Sequence, residues 1–134
     1  MEIHIKTIPH HEQSYNTIGN WWTDEQGVLQ IRVSDLGGMD HEMPVVIHEL
    51  VEWALCAKRG ITQAEVDAFD HQFERERAEG EHVDHEPGDA PNAPYRQEHR
   101  FSENVERLLV QELGLDWHAY EAELNRRWFS TVGP

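Results

Sequence analysis

Between Pro44 and Ala57 the chain is apolar except at His48, Glu49 and Glu52. A proline at the start of this run, Lys58 and Arg59 at its end and Gly60 after it mark a helix. A helix that is apolar all round belongs in a core, so the fold must carry an imidazole and two carboxylates into its interior. An ionised carboxylate left unpaired there is costly, and such groups are normally paired, hydrogen-bonded or bound to metal. His48 and Glu52 stand four residues apart and project from one face, a spacing that lets one ion touch both. Glu49, rotated by about 100° from His48, can flank that ion and take a proton from a water bound to it. The competing reading of the same residues is a hydrogen-bonded structural cluster without an ion.

The rest of the chain supplies an α+β frame. Ile3, Ile5 and Thr7 alternate with His4 and Lys6 and predict a half-buried strand ending at Pro9. The β-prone stretch from Tyr15 to Trp22, turn residues from Asp24 to Gly27, and alternation at Leu29, Ile31 and Val33 predict a hairpin. Three strands in residues 1–36 would then form a small, largely antiparallel sheet. The helix of the His/Glu motif is followed by Thr62-Gln63-Ala64-Glu65, a capping box that opens a second helix; the two occupy residues 44–79. Residues 80–94, acidic and rich in proline and glycine, predict a loop. Two C-terminal helices are expected in 95–130, one from about Tyr95 to Leu113 with Gly114 as its stop, the other capped by Asp116 and running through Trp128. The length, 134 residues, suits one domain over 1–134.

Twenty-six acids stand against eleven bases and ten histidines, a formal net charge of -15. Such a surface repels phosphate backbones, so no nucleic-acid partner is expected. No apolar run approaches the roughly 18 residues that span a bilayer, and Met1 to Lys6 does not resemble a secretory signal. The expectation is a protein of the cytoplasm with no membrane partner. The single cysteine, Cys56, forms neither an internal disulfide nor a multi-cysteine zinc site; it reads as a small buried apolar residue. Carboxylates and imidazoles together are the usual ligands of divalent metals.

His48-Glu49-Leu50-Val51-Glu52 resembles the H-E-x-x-H helix of zincin metallopeptidases, with glutamate (HExxE) in place of the second histidine. The strands, hairpin and helix around it are similar to a minimal zincin core. Over nearly its whole length the chain also resembles small uncharacterised proteins of phages and prophages that share the HELVE helix, an acidic Glu86-Pro87-Gly88-Asp89 loop, Ala93-Pro94-Tyr95 and Glu98-His99. The zincin resemblance implies His48 and Glu52 as ligands, Glu49 as general base, zinc as cofactor and a peptide or protein as substrate. The added carboxylate makes the site harder, which brings in manganese or iron beside zinc. The phage resemblance implies a host-cell cytoplasm.

A further ligand must come from elsewhere in the chain. His99 and Glu103 form a second i,i+4 pair on the third helix, continued by Glu106, on a face away from Phe101, Val105 and Leu108. His99 is the first choice, with Glu103 as a ligand or beside one; the plainer alternative is a solvated polar stripe. On the second helix, Asp67 with His71 and Asp70 with Glu74 have the same spacing and could supply a ligand or orient a histidine. His82-Val83-Asp84-His85 could chelate an ion in the loop, and Trp21, Trp22 and Trp53 read as core or as a wall of the site. The combined expectation is a zincin-like metal-dependent hydrolase with a cleft between the HELVE helix and the third helix, covered by the acidic loop. Two rivals are a non-catalytic acidic phage protein docking on a basic host partner and a two-metal carboxylate phosphohydrolase.

Overall fold

The structure is a computed structural model that describes residues 1–83 and 85–130, the side chains of Phe129 and Ser130 excepted. Three strands, β1 (Ile3–Ile8), β2 (Gly19–Thr23) and β3 (Leu29–Ser34), precede four helices, α1 (Met39–Arg59), α2 (Gln63–Ala78), α3 (Arg96–Glu112) and α4 (Trp117–Ser130). The α+β architecture is thus the one that periodicity and capping residues imply. Single 3₁₀ turns lie at His10–Glu12 and Pro87–Asp89.

The sheet order is β1-β3-β2. β2 and β3 pair antiparallel, with Trp21 opposite Ile31, and Asp24 accepts from the backbone N–H groups of Gln26 and Val28 to shape their turn. β1 lies on the other side of β3 and runs parallel to it, with Ile5 opposite Ile31. The sheet is therefore mixed: the short turn forces antiparallel pairing in the hairpin, whereas the longer connection 9–18 carries the chain across to the far edge. Central β3 buries every residue except Arg32. Ile5, on the outer strand, remains 49% exposed, while Ile3 packs against the core.

One face of the sheet packs on α1, and α1 packs in turn on α3. Ile18, Trp21, Leu29, Ile31, Val45, Val46 and Val110 belong to the resulting core. α1 begins five residues before Pro44, at Met39, because a proline early in a helix leaves only one carbonyl, that of Asp40, without its donor. The buried residues of α1 include Val45, His48, Glu49, Glu52 and Cys56, whereas Leu50, Val51, Trp53 and Leu55 are less deeply placed. The deepest seam of the helix therefore runs through His48, Glu49 and Glu52. α2 opens with both halves of the Thr62/Glu65 capping box formed.

α3 faces inward with its polar side. Glu98, His99, Ser102, Glu106 and Val110 are buried, while Phe101 and Leu108 are 53% and 63% exposed. Arg59 at the end of α1 binds the buried Glu98 at 2.6 Å, tying the two helices together beside the site.

Candidate metal centre

Four segments converge on the seam of α1. His48, Glu49 and Glu52 come from α1, His99 and Glu106 from α3, Trp21 from β2, and Glu86 to Asp89 from the 80–94 loop, whose Glu86, Pro87 and Gly88 line the cleft. Residues 86–88 of the loop thus border the cleft between α1 and α3. The cleft encloses about 70 Å³, room for a few waters.

Three donor atoms meet at one point. His48 Nε2 lies 3.3 Å from Glu52 Oε2 and 3.2 Å from His99 Nδ1, and the last two are 3.1 Å apart. Ligands about 2.0–2.1 Å from a tetrahedral ion stand about 3.3 Å from one another, so this triangle has the size of one face of such a shell. His48 and Glu52 are each held from behind. His48 Nδ1 lies 2.6 Å from Glu106 Oε1, and Glu106 Oε2 accepts from the Tyr120 hydroxyl at 2.5 Å. A carboxylate that accepts from Nδ1–H leaves the Nε2 lone pair directed at the triangle. Glu52 Oε1 accepts from the Trp21 indole N–H at 3.0 Å, which leaves Oε2 as its free donor. Glu49 stands beside the triangle: its nearest ionic partner is His48 Nε2 at 3.9 Å. Glu49 is 8% exposed and lines the cleft, and its carboxylate accepts no hydrogen bond among the described residues.

The electrostatics call for positive charge at this point. Burial pushes the Glu49 carboxyl up to about 8, with the negative Glu52 adding to the effect. Burial acts on Glu52 in the same sense, but its contacts with His48 and His99 outweigh it and hold that carboxyl well below the usual range. For both imidazoles burial disfavours the cation, yet neighbouring carboxylates raise them well above the ordinary value: Glu106 and Glu52 for His48, Asp89 and Glu52 for His99. No lysine or arginine lines the cleft among the described residues.

Two glycines let backbone approach the site. A Cβ on Gly88 would overlap the His99 ring, and one on Gly19 would lie 2.8 Å from Val45 Cγ1 and 2.9 Å from Glu49 Cδ. The 3₁₀ turn rests on one of the three donor residues and β2 on the carboxylate beside them, so neither position has space for a side chain.

Of the residues expected from sequence, His48, Glu52 and His99 share the donor set and Glu49 flanks it. Glu103 is placed differently: it is half-buried and lines a neighbouring pocket with Glu86 and Glu106, while Glu106, one turn on, takes the inner position against His48. Asp70 is buried but serves two tyrosines, accepting from the Tyr15 hydroxyl at 2.8 Å and from that of Tyr95. Asp67 is half-buried and His71 exposed against the Tyr15 ring, and Glu74 pairs with Arg77 at 2.9 Å. In the loop, His82 meets Glu76 at 2.8 Å and groups with Glu76 and Glu81; Asp84 of the expected chelate lies outside the described residues. Cys56 is buried with its thiol pushed up to about 12 by that burial, which suits an inert core residue. Sequence reasoning did not assign roles to Trp21 as a donor to Glu52, to Tyr120 behind Glu106, or to the two glycines. The only signal for them was proximity in a fold not yet known. Among the described residues, no helix is long and apolar enough to cross a membrane.

Comparison with protein-family models, curated proteins and solved structures returned no match.

Proposed function

We propose that the protein is a zincin-like metallohydrolase acting on peptide bonds with one catalytic ion. The observation that carries this reading is the triangle of His48 Nε2, Glu52 Oε2 and His99 Nδ1, with beside it the buried Glu49, whose carboxylate accepts no hydrogen bond among the described residues. Two imidazole nitrogens and one carboxylate oxygen suit zinc. Because the Trp21 indole occupies Glu52 Oε1, the carboxylate offers a single oxygen, which favours four-coordinate zinc over the oxygen-rich shells of manganese. A bound ion there supplies Lewis acidity toward a water and a substrate carbonyl. Glu49 takes the proton from the attacking water and delivers it to the leaving amine. Glu106 and Trp21 keep His48 and Glu52 in the rotamers that direct their donors inward.

A peptide fits the cleft better than a phosphate ester. β2 is an edge strand of the sheet, and its Gly19, Asn20 and Trp21 border the cleft, so an extended peptide can pair with its unpaired side. The carboxylate lining disfavours an anionic substrate.

Metal analysis and turnover of tag-free protein test the reading. The parent should hold zinc at the triangle and cleave an unstructured protein substrate. Glu49→Gln should keep that ion and lose at least about a hundredfold in turnover, and His48→Ala should lose both. Loss of the ion in Glu49→Gln would make Glu49 a ligand; absence of bound metal after reconstitution would sink the proposal.

A further inference from the structure

His99 directs Nδ1 at the triangle, and its other ring nitrogen meets only a loose ion pair with Asp89. The side chain is 5% exposed, and its Nε2 is buried without a hydrogen bond. That nitrogen faces the 3₁₀ turn Pro87–Asp89. Asp89 Oδ1 is 3.4 Å away, in an orientation that makes no hydrogen bond, and the His99, Asp89 and Glu86 donors lie within 4.8 Å of one another. The local backbone explains the grouping. Side chains three residues apart in a 3₁₀ turn eclipse one another, so Glu86, at the N-cap, and Asp89, at the last residue, share one side. Gly88 between them lets the turn lie directly on the imidazole. The Glu86 carboxylate accepts no hydrogen bond and forms no ion pair among the described residues, although the residue is half-buried.

We propose that Glu86, Asp89 and Nε2 of His99 form a second divalent-cation site, joined to the first through the shared imidazole ring. The inference rests on the triangle being a metal site, and it adds an ion to it. Two carboxylate oxygens and one imidazole nitrogen form a donor set that zinc, copper and manganese all accept. With Nδ1 engaged on one side, binding at Nε2 requires the ring to release its remaining N–H proton to solvent, so the ring bridges as an imidazolate. A dication drawn in by Glu86 and Asp89 takes the place of that proton. Glu52, Glu86 and Glu106 line the cleft around two imidazoles, with Asp89 against His99 and no lysine or arginine in the lining among the described residues, so one dication leaves carboxylate charge beside the loop. A second ion offsets more of the repulsion and fastens the loop to α3. Ions on opposite nitrogens of one ring are farther apart than the about 3.5–4 Å of a two-metal phosphoryl clamp, so the second ion anchors the loop and serves the chemistry only indirectly.

The test uses tag-free protein carrying His82→Ala, which dismantles the separate Glu76/Glu81/His82 grouping. It is titrated with Cu(II) and followed by electron paramagnetic resonance, and zinc stoichiometry is measured after gel filtration. The expected result is two equivalents per chain, with the copper signal rising through the first equivalent and falling through the second as the two spins couple across the ring. Glu86→Gln/Asp89→Asn should bind one equivalent with undiminished signal; Asp89→Asn alone, at an exposed position, gives the same readout should the double variant fail to fold. One equivalent in the parent overturns the second site and leaves the first standing, whereas no binding overturns both. Two equivalents with full signal, or two retained by a folded variant, also overturn it.

Discussion

A methyl group at position 88 would overlap the ring of His99, and both the turn and the buried imidazole would have to shift. Gly88→Ala should therefore cost about 1–3 kcal/mol in stability, as overpacking does, and weaken binding at the triangle at least tenfold. Gly38→Ala, where a Cβ meets nothing within 4 Å, should be close to neutral. Urea denaturation and metal competition on the two variants check this, and equal behaviour would show that the turn yields freely. At this scale sequence was informative where spacing within one helix decides the outcome. His48 and Glu52 on one face, with Glu49 beside them, follow from helix geometry alone. Gly88 against His99, or Trp21 against Glu52, cannot be read that way: the partners of the Trp21–Glu52 bond are 31 positions apart and on different elements.

α3 shows the same division at the level of an element. Its start after Tyr95 and its end before Gly114 were legible from local residues, and so was the separation of the His99/Glu106 stripe from Phe101 and Leu108. Which stripe faces inward was not legible, because apolar residues ordinarily mark the core side of a helix. The inversion follows from the neighbour: α1 presents a polar seam, and the carboxylate, imidazole and hydroxyl groups of α3 are what can satisfy it. Phe101→Ser and Leu108→Ser should each change stability by no more than about 0.5 kcal/mol. Glu106→Ala, which strips His48 and Tyr120 of their shared acceptor, should cost about 1–3 kcal/mol and lower metal affinity about 10–100-fold. Thermal denaturation of the three variants gives the ranking, and a larger loss from Phe101→Ser would mean that the outer stripe carries the stability. The parallel β1/β3 pairing was hidden for a related reason: alternation identifies a strand without naming its neighbour.

For the whole molecule, buried acids tie stability to pH. Burial raises the Asp70 carboxyl from its ordinary 3.8 to about 7, although the Tyr95 and Tyr15 hydroxyls oppose this. The native state then holds a proton that the unfolded chain has released. The stability linked to that proton is intact below about 3.8 and is lost as pH rises through about 7. An amide in place of this carboxyl cannot ionise. The stability of Asp70→Asn relative to the parent should therefore improve between pH 4 and pH 8 by on the order of 1–3 kcal/mol. Urea denaturation of the metal-free proteins across that range measures it, and a pH-independent difference would show that Asp70 titrates like a surface carboxyl.

The bond between His48 and Glu106 joins positions 58 apart in the chain, and that between Glu52 and His99 joins positions 47 apart. Contacts so distant must wait for long loops to close, whereas the β2–β3 hairpin and the individual helices form from near neighbours. The centre is therefore expected to be completed late in folding. A chain still lacking α3, as during synthesis, has His48 and Glu52 but neither His99 nor Glu106, so the triangle is incomplete. The three donors of the triangle come together only when α3 docks on α1, so whatever chemistry the cleft performs needs that last long-range closure.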